Sequence, residues 1–203
     1  MNKRDFPKIH FYDQDFVDVY DKTWSWLQDF WFNPETEAAD LNGLFIYPHS
    51  QNPLIDQMES IFSTFFLVYS NKNYAANSNL DFFYKQQEES GAIRWKYSYP
   101  SLEAVRPKEN PEAVGLPLFS WAEFNLYHKT ANKKRIKEIV PHLEKYTQWL
   151  DETFKQENGL YAVKHQASTM YNSPRENTYY PVDFNACMAI HALYMAALGD
   201  ILN

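Results

Sequence analysis

Residues 168 to 175 read Ser168, Thr169, Met170, Tyr171, Asn172, Ser173, Pro174 and Arg175, and a few positions on come Tyr180-Pro181-Val182-Asp183-Phe184-Asn185-Ala186. A polar, turn-forming loop thus runs into a helix start that carries side-chain amides and a carboxylate. Loops held by rigid elements are where helical proteins place chemistry. Two further groups have the same character. Asp56 and Glu59 fall in the first turns of a predicted helix, and Arg94-Trp95 follow Gly91-Ala92-Ile93. Carboxylates, amides, guanidinium and indole faces suit a polyhydroxylated ligand. Cleaving a glycosidic bond, in particular, needs one acid and one base on opposite sides of it. Each group also has a plainer reading: acids at helix starts complement the helix dipole, and a loop arginine is simply solvated.

The elements that must hold these groups are helical. Only five glycines occur, and strand-like alternation is scarce. Phe16, Tyr20, Trp24, Leu27 and Trp31 recur at three- and four-residue spacing behind a capping Asp13. A second helix is predicted from Asn52-Pro53, with Met58, Ile61, Phe62, Phe65 and Tyr69, and a third carries Leu80, Phe83 and Gln87 and stops at Ser90-Gly91. Residues 92–99 read as short and extended. A fourth helix starts near Pro117, Asn132 caps a brief basic turn, and Pro141 opens a fifth helix that ends at Asn158-Gly159. The sixth runs from Pro181 to the end of the chain. The fold class is therefore all-α, either an irregular bundle or a helical toroid. The long connections, 33–52, 92–116 and 159–180, alternate with tight joints and belong on one rim, the expected functional face.

Composition narrows the partners. Hydrophobic residues make up 45% of 203, enough for a core in one domain. A net charge of −7 with no basic run argues against nucleic-acid binding. Cys187 stands alone, so no internal disulfide forms, and it reads as a buried small hydrophobe. The N-terminus lacks the apolar core of a signal peptide, which makes a cytoplasmic location the default expectation, and no stretch reads as a membrane span. With no glycine-rich phosphate loop, no paired cysteines and scattered histidines, no cofactor or metal is expected; His191 reads as a core histidine. Aromatic residues reach 18%, which serves either a core of large side chains or a pocket that stacks on sugar rings.

The order of the motifs resembles the (α/α)6-toroid glycoside hydrolases of the trehalase, processing α-glucosidase and mannosylglycerate hydrolase type, over nearly the whole chain. Leu54-Ile55-Asp56 resembles the helix-two motif of that family. Residues 81–87 with Gly91-Ala92-Ile93-Arg94 resemble its third helix and the segment after it. Pro117-Leu118-Phe119-Ser120-Trp121 is similar to its fourth helix start, and Pro141, Leu143, Tyr146, Trp149 and Leu150 to its fifth. Thr169 to Arg175 aligns with its acid-bearing loop, and Val182-Asp183-Phe184-Asn185-Ala186 with its sixth helix start.

The resemblance implies that Asp56, Arg94, Trp121, Asn172, Arg175 and Asp183 hold a sugar, with Glu123 and Asn185 in the same substrate-binding set. The place of the family's general-acid Asp is held here by Tyr171. A phenol ionises near pH 10 against about 4 for Asp, so it is a poor proton donor to a glycosidic oxygen. Glu123 and Glu176 are candidates for a replacement acid. Six helices make up the N-terminal half of a twelve-helix toroid, so the resemblance also implies that residues 1–203 are one half of a glycosidase-like domain. The catalytic base would then lie in the other half, and exposed helix faces would associate with that half or with themselves. A non-catalytic sugar-binding relative and a helical interaction scaffold are the competing readings.

Overall fold

The structure, a computed structural model, describes residues 6–32, 43–46, 53–70, 73–164 and 180–203. The fold is all-α. Six α-helices lie among the described residues: α1 (Gln14–Leu27), α2 (Gln57–Leu67), α3 (Ser78–Lys85), α4 (Phe119–Thr130), α5 (Lys133–Phe154) and α6 (Val182–Leu202). Two small antiparallel pairs accompany them, β1 (Trp31–Phe32) with β2 (Leu44–Phe45) and β3 (Leu54–Asp56) with β4 (Lys96–Ser98).

Local chemistry sets most boundaries. Asp13 caps α1 by accepting from the Asp15 amide at 3.0 Å. The aromatic stripe of α1 is broken at its end, because Trp31 leaves the helix and pairs with Phe45 in the β1–β2 ladder. The second helix starts later than Asn52-Pro53 predicts: Leu54–Asp56 is extended and pairs with Lys96–Ser98. Burial of Ile55 and a bond from the Tyr99 amide to the Pro53 carbonyl hold that strand. Asp56 then takes the capping role, accepting from the amides of Met58 and Glu59 at 2.8 and 3.2 Å. The third helix stops at Lys85, short of Ser90-Gly91.

Pro141 does not open the fifth helix. It lies inside one 22-residue helix whose start is capped by Asn132. An interior proline costs about 3 kcal/mol. Ile136 and Ile139 before it and Leu143, Tyr146 and Leu150 after it are all buried. At about 1.5–3 kcal/mol for each large apolar side chain, that burial outweighs the proline and carries the helix through.

The helices form two layers. α4 contacts both α2 and α6, while α3 packs on α2, and α5 packs on α4 and α6. One core cluster runs through α2 to α6, and a smaller one joins Trp24 of α1 to Leu67, Tyr74 and Leu126. His191 ties three helices together. Its Nδ1 meets Ser120 Oγ of α4 at 2.9 Å, and its Nε2 meets Thr147 Oγ1 of α5 at 2.8 Å.

The chain alternates long connections before α2, α4 and α6 with short joints before α3 and α5. The long connections touch one another. Gln57 Nε2, at the start of α2, donates to the Leu116 carbonyl ahead of α4 at 2.8 Å. Lys164, ahead of α6, bonds the Glu109 carbonyl. The starts of the α2–α4–α6 layer therefore share one rim, as the connection lengths predict.

One sequence expectation needs correction. Among the described residues, α6 is long and apolar enough by length and composition to cross a membrane. Asp183, His191 and Asp200 interrupt its apolar run. Only Phe184, Met188, His191 and Leu198 of this helix are buried.

Candidate functional site

The rim gathers charge where β3 turns into α2. The β3–β4 register sets Asp56 opposite Lys96, and the Lys96 ammonium reaches Asp56 Oδ2 at 3.0 Å. The same ammonium lies over the Trp95 ring, 4.5 Å from its centroid. The Trp95 indole donates to the Val105 carbonyl at 3.2 Å, which fixes its plane. One helical turn on, the Glu59 carboxyl is raised from its ordinary value, first by partial burial and then by the Asp56 charge, with Lys96 opposing. Two carboxyls, an ammonium and an indole face thus share one end of the helix layer. Asp56 and Glu59 can accept hydrogen bonds from hydroxyls, and Glu59 holds its proton more readily than an isolated carboxyl. Among the described residues no group of histidine, cysteine and carboxylate side chains has metal-binding geometry.

Lys96 escapes sequence reasoning because its role depends on a strand register, and Leu54–Asp56 reads as helix. The lysine beside a tryptophan is visible in sequence; its partner is not.

Arg94 and Glu123 have structural partners and do not open onto the rim. Arg94 is 3% exposed. Its Nε and Nη2 donate to the two oxygens of Glu88 at 2.7 Å each, and Nη1 donates to Glu112 at 2.7 Å. Hydrogen bonding by Arg94 holds the Glu88 carboxyl below its usual value, against some burial. Glu123 is wholly buried. Arg135 donates to its oxygens at 2.8 and 2.7 Å, and the Tyr84 hydroxyl donates at 3.0 Å. The third nitrogen of Arg135, Nη1, donates to Asp81 at 2.7 Å. These contacts bind α3, α4 and α5 together and leave no access for a glycosidic oxygen, so Glu123 is not available as a replacement acid. Trp121 is half-buried, with its ring 4.5 Å from Phe65 and 5.8 Å from Phe62, at the α2–α4 contact.

At the start of α6, Asn185 acts as a clamp. Its Oδ1 accepts from the Tyr161 amide at 2.8 Å, and its Nδ2 donates to the carbonyls of Tyr161 and Pro181. The side chain copies a backbone pairing and docks the α5–α6 connection onto the helix start. Asp183 sits in the first helical turn, half-buried, with the Phe184 amide donating to it at 3.0 Å. Tyr171, Asn172, Arg175 and Glu176 lie outside the described residues.

The all-α, two-layer arrangement with a polar rim at its long connections is consistent with a glycosidase-like fold. The sequence profile of the mannosylglycerate hydrolase MGH1-like glycoside hydrolase domain matches residues 66–202. The chain belongs to this family. Arg94, Trp121, Glu123, Tyr171, Asn172, Arg175, Asp183 and Asn185 fall inside the matched segment, and Asp56 falls before it. An uncharacterized protein of Borreliella burgdorferi is 48% identical over 204 residues. That alignment covers 100% of this chain and 42% of the relative, so the chain spans less than half the length of the protein it matches. No solved structure matches the chain.

Proposed function

We propose that this chain supplies part of a carbohydrate site of the glycoside hydrolase kind, for α-linked gluco- or manno-configured glycosides. The observation that carries the reading is family membership across residues 66–202. The shared rim of α2, α4 and α6 supports it, because it collects Asp56, Glu59, Trp95 and Lys96 at one end of the layer. In this reading Asp56 and Asp183 accept from sugar hydroxyls, Trp121 contributes an aromatic wall, and Asn172 and Arg175 close over the ligand. Arg94 and Asn185 act indirectly, holding the connections that carry the site.

Hydrolysis needs an acid and a base. Tyr171 stands where the family's acid belongs, and Glu123 is sealed by Arg135. Glu176 remains the candidate acid on this chain, while the base comes from polypeptide beyond these six helices, and the chain acts as one half of a toroid. The second reading, a non-catalytic sugar binder, is favoured by Tyr171 itself.

Titration of the protein with α-linked disaccharides, followed by tryptophan fluorescence and thermal melting, tests the site. Saturable shifts are expected. No shift with any sugar removes both sugar readings and leaves a helical scaffold. Tyr171→Asp, made in the full-length protein, separates the two sugar readings. Reducing sugar released only by the variant identifies a lost acid, and release by the parent identifies an acid elsewhere.

A further inference from the structure

Gln57 joins three parts of the fold and has one atom left over. Its backbone amide donates to the Trp95 carbonyl at 2.9 Å, and its Nε2 donates to the Leu116 carbonyl at 2.8 Å. The residue is 1% exposed. Its Oε1 has no hydrogen-bond partner among the described residues, and neither does the hydroxyl of Tyr146, which is wholly buried. The two side chains meet. Tyr146 reaches across from α5, and the Gln57 amide beside its hydroxyl lowers the phenol's pKa against the burial that raises it.

Neither atom is satisfied by turning a side chain. A flip of the Gln57 amide would set Oε1 against the Leu116 carbonyl oxygen and lose the bond that Nε2 makes. The Tyr146 ring is held by Phe119, Trp149 and His191, with centroids 5.8, 6.0 and 6.2 Å away. One side of Oε1 is closed by Gly115, where a Cβ would stand 2.3 Å from it. That neighbour is carbon and gives no ordinary hydrogen bond.

Buried polar atoms without a partner are rare in folded proteins and costly. An amide oxygen only accepts, whereas a phenol can donate. Water serves both at once, donating to the first and accepting from the second. A metal ion would find two neutral oxygens in a buried place and no carboxylate to offset its charge.

We propose that a single buried water is bound between Gln57 Oε1 and the Tyr146 hydroxyl. It ties α5 to the start of α2, at the residue on which the connections through Trp95 and Leu116 already converge. Gln57 directly follows Asp56, so the water braces the backbone that carries the rim carboxylate. It lies outside the groups a sugar would touch, and it is independent of whether the rim binds sugar.

Tyr146→Phe tests the site, because it removes one oxygen and keeps the ring. Oxygen-17 relaxation dispersion of the solvent counts waters held longer than the protein takes to tumble, and urea unfolding reads the stability. The variant should hold one long-lived water fewer, since a water left with Oε1 alone exchanges quickly, and its urea midpoint should fall. An unchanged water count overturns the proposal. So does a midpoint that stays level or rises, the result for a hydroxyl that had no partner to lose.

Gln57→Met supplies a second reading. It removes the other anchor together with the bond to Leu116, so it lowers the midpoint by itself. In that background the Tyr146 hydroxyl has lost its bridge, and adding Tyr146→Phe should leave the midpoint level or raise it. An equal fall in both backgrounds overturns the bridge. Coupling between the two positions with no change in the water count also overturns it, because it assigns a direct bond from the hydroxyl to Oε1. The two readings on Tyr146→Phe decide the matter even where Gln57→Met does not fold.

Discussion

Asp56 and Lys96 stand opposite each other in the β3–β4 ladder, and their side chains close a 3.0 Å ion pair at the mouth of α2. One carboxylate therefore caps a helix, pairs an ammonium and raises the neighbouring Glu59 carboxyl. Asp56→Ala should destabilise the fold by about 1 kcal/mol through the lost cap. Asp56→Asn keeps an acceptor for the Met58 and Glu59 amides and should cost less. Both variants remove the charge that holds Glu59 up, so its carboxyl should titrate at lower pH in either. Carbon-detected NMR titration of Glu59, run beside thermal melts, reads the two effects separately. An unmoved Glu59 in Asp56→Asn would show that burial alone sets its value.

Arg135 is the sole cation on the buried Glu123 carboxylate among the described residues, with a second contact to Asp81. Removing one partner of a buried pair strands the other charge, which costs about 3–5 kcal/mol. Arg135→Leu should therefore lower the urea midpoint far more than the double variant Arg135→Leu, Glu123→Leu. Equal loss in both would show that the guanidinium contributes packing rather than compensation.

The helices were legible where the physics is local. Asp13 caps α1, the 3.6-residue apolar period marks α4 to α6, and connection lengths place the shared rim. Three features were not, because each depends on residues far apart in sequence. Leu54-Ile55-Asp56 reads as the first turn of a helix until Lys96–Ser98 supplies its hydrogen-bonding partner. Pro141 reads as a helix start because its cost is local, while the burial of Ile136 and Ile139 that overrides it is tertiary. Arg94 and Glu123 look like ligand-binding groups in a linear reading, since sequence does not show that Glu88, Glu112 and Arg135 already hold them. Asp183 was legible as a first-turn residue because the start of α6 is.

Gly91 and Gly159 both adopt positive φ, at +93° and +81°. A Cβ on Gly91 would lie 2.4 Å from the Lys145 carbonyl oxygen of α5, whereas one on Gly159 would meet nothing within 4 Å. Left-handed backbone alone costs a non-glycine residue about 1 kcal/mol. Gly159→Ala should show only that. Gly91→Ala must also push the 88–94 turn away from α5, with strain at Arg94 and its partners, and should lose several-fold more stability in denaturant unfolding. Similar losses at the two sites would mean that the turn relaxes freely.

His191 supplies a pH dependence whose sign follows from its partners. Thr147 donates to the Leu143 carbonyl at 2.7 Å, so it accepts from His191 Nε2–H; in that neutral tautomer the Ser120 hydroxyl shares its proton between Nδ1 at 2.9 Å and the His191 carbonyl at 3.2 Å. The ring is neutral and fully buried. Burial lowers its pKa from 6.5 to about 4, with Asp151 opposing. Between these values the unfolded chain binds a proton that the folded chain refuses, so stability should be complete above pH 6.5 and fall as the pH drops towards 4. The span of this contribution is about 3 kcal/mol. Carboxylates titrate in the lower part of the same window, so the comparison that isolates the histidine is His191→Gln. The amide can accept from Ser120 and donate to Thr147 without titrating. Urea unfolding of the two proteins from pH 7 to 4 should give curves that converge as the pH falls, the wild-type protein losing its advantage over the variant. Parallel curves would mean that the imidazole is protonated in the folded state and that the α4–α5–α6 junction is held in another way.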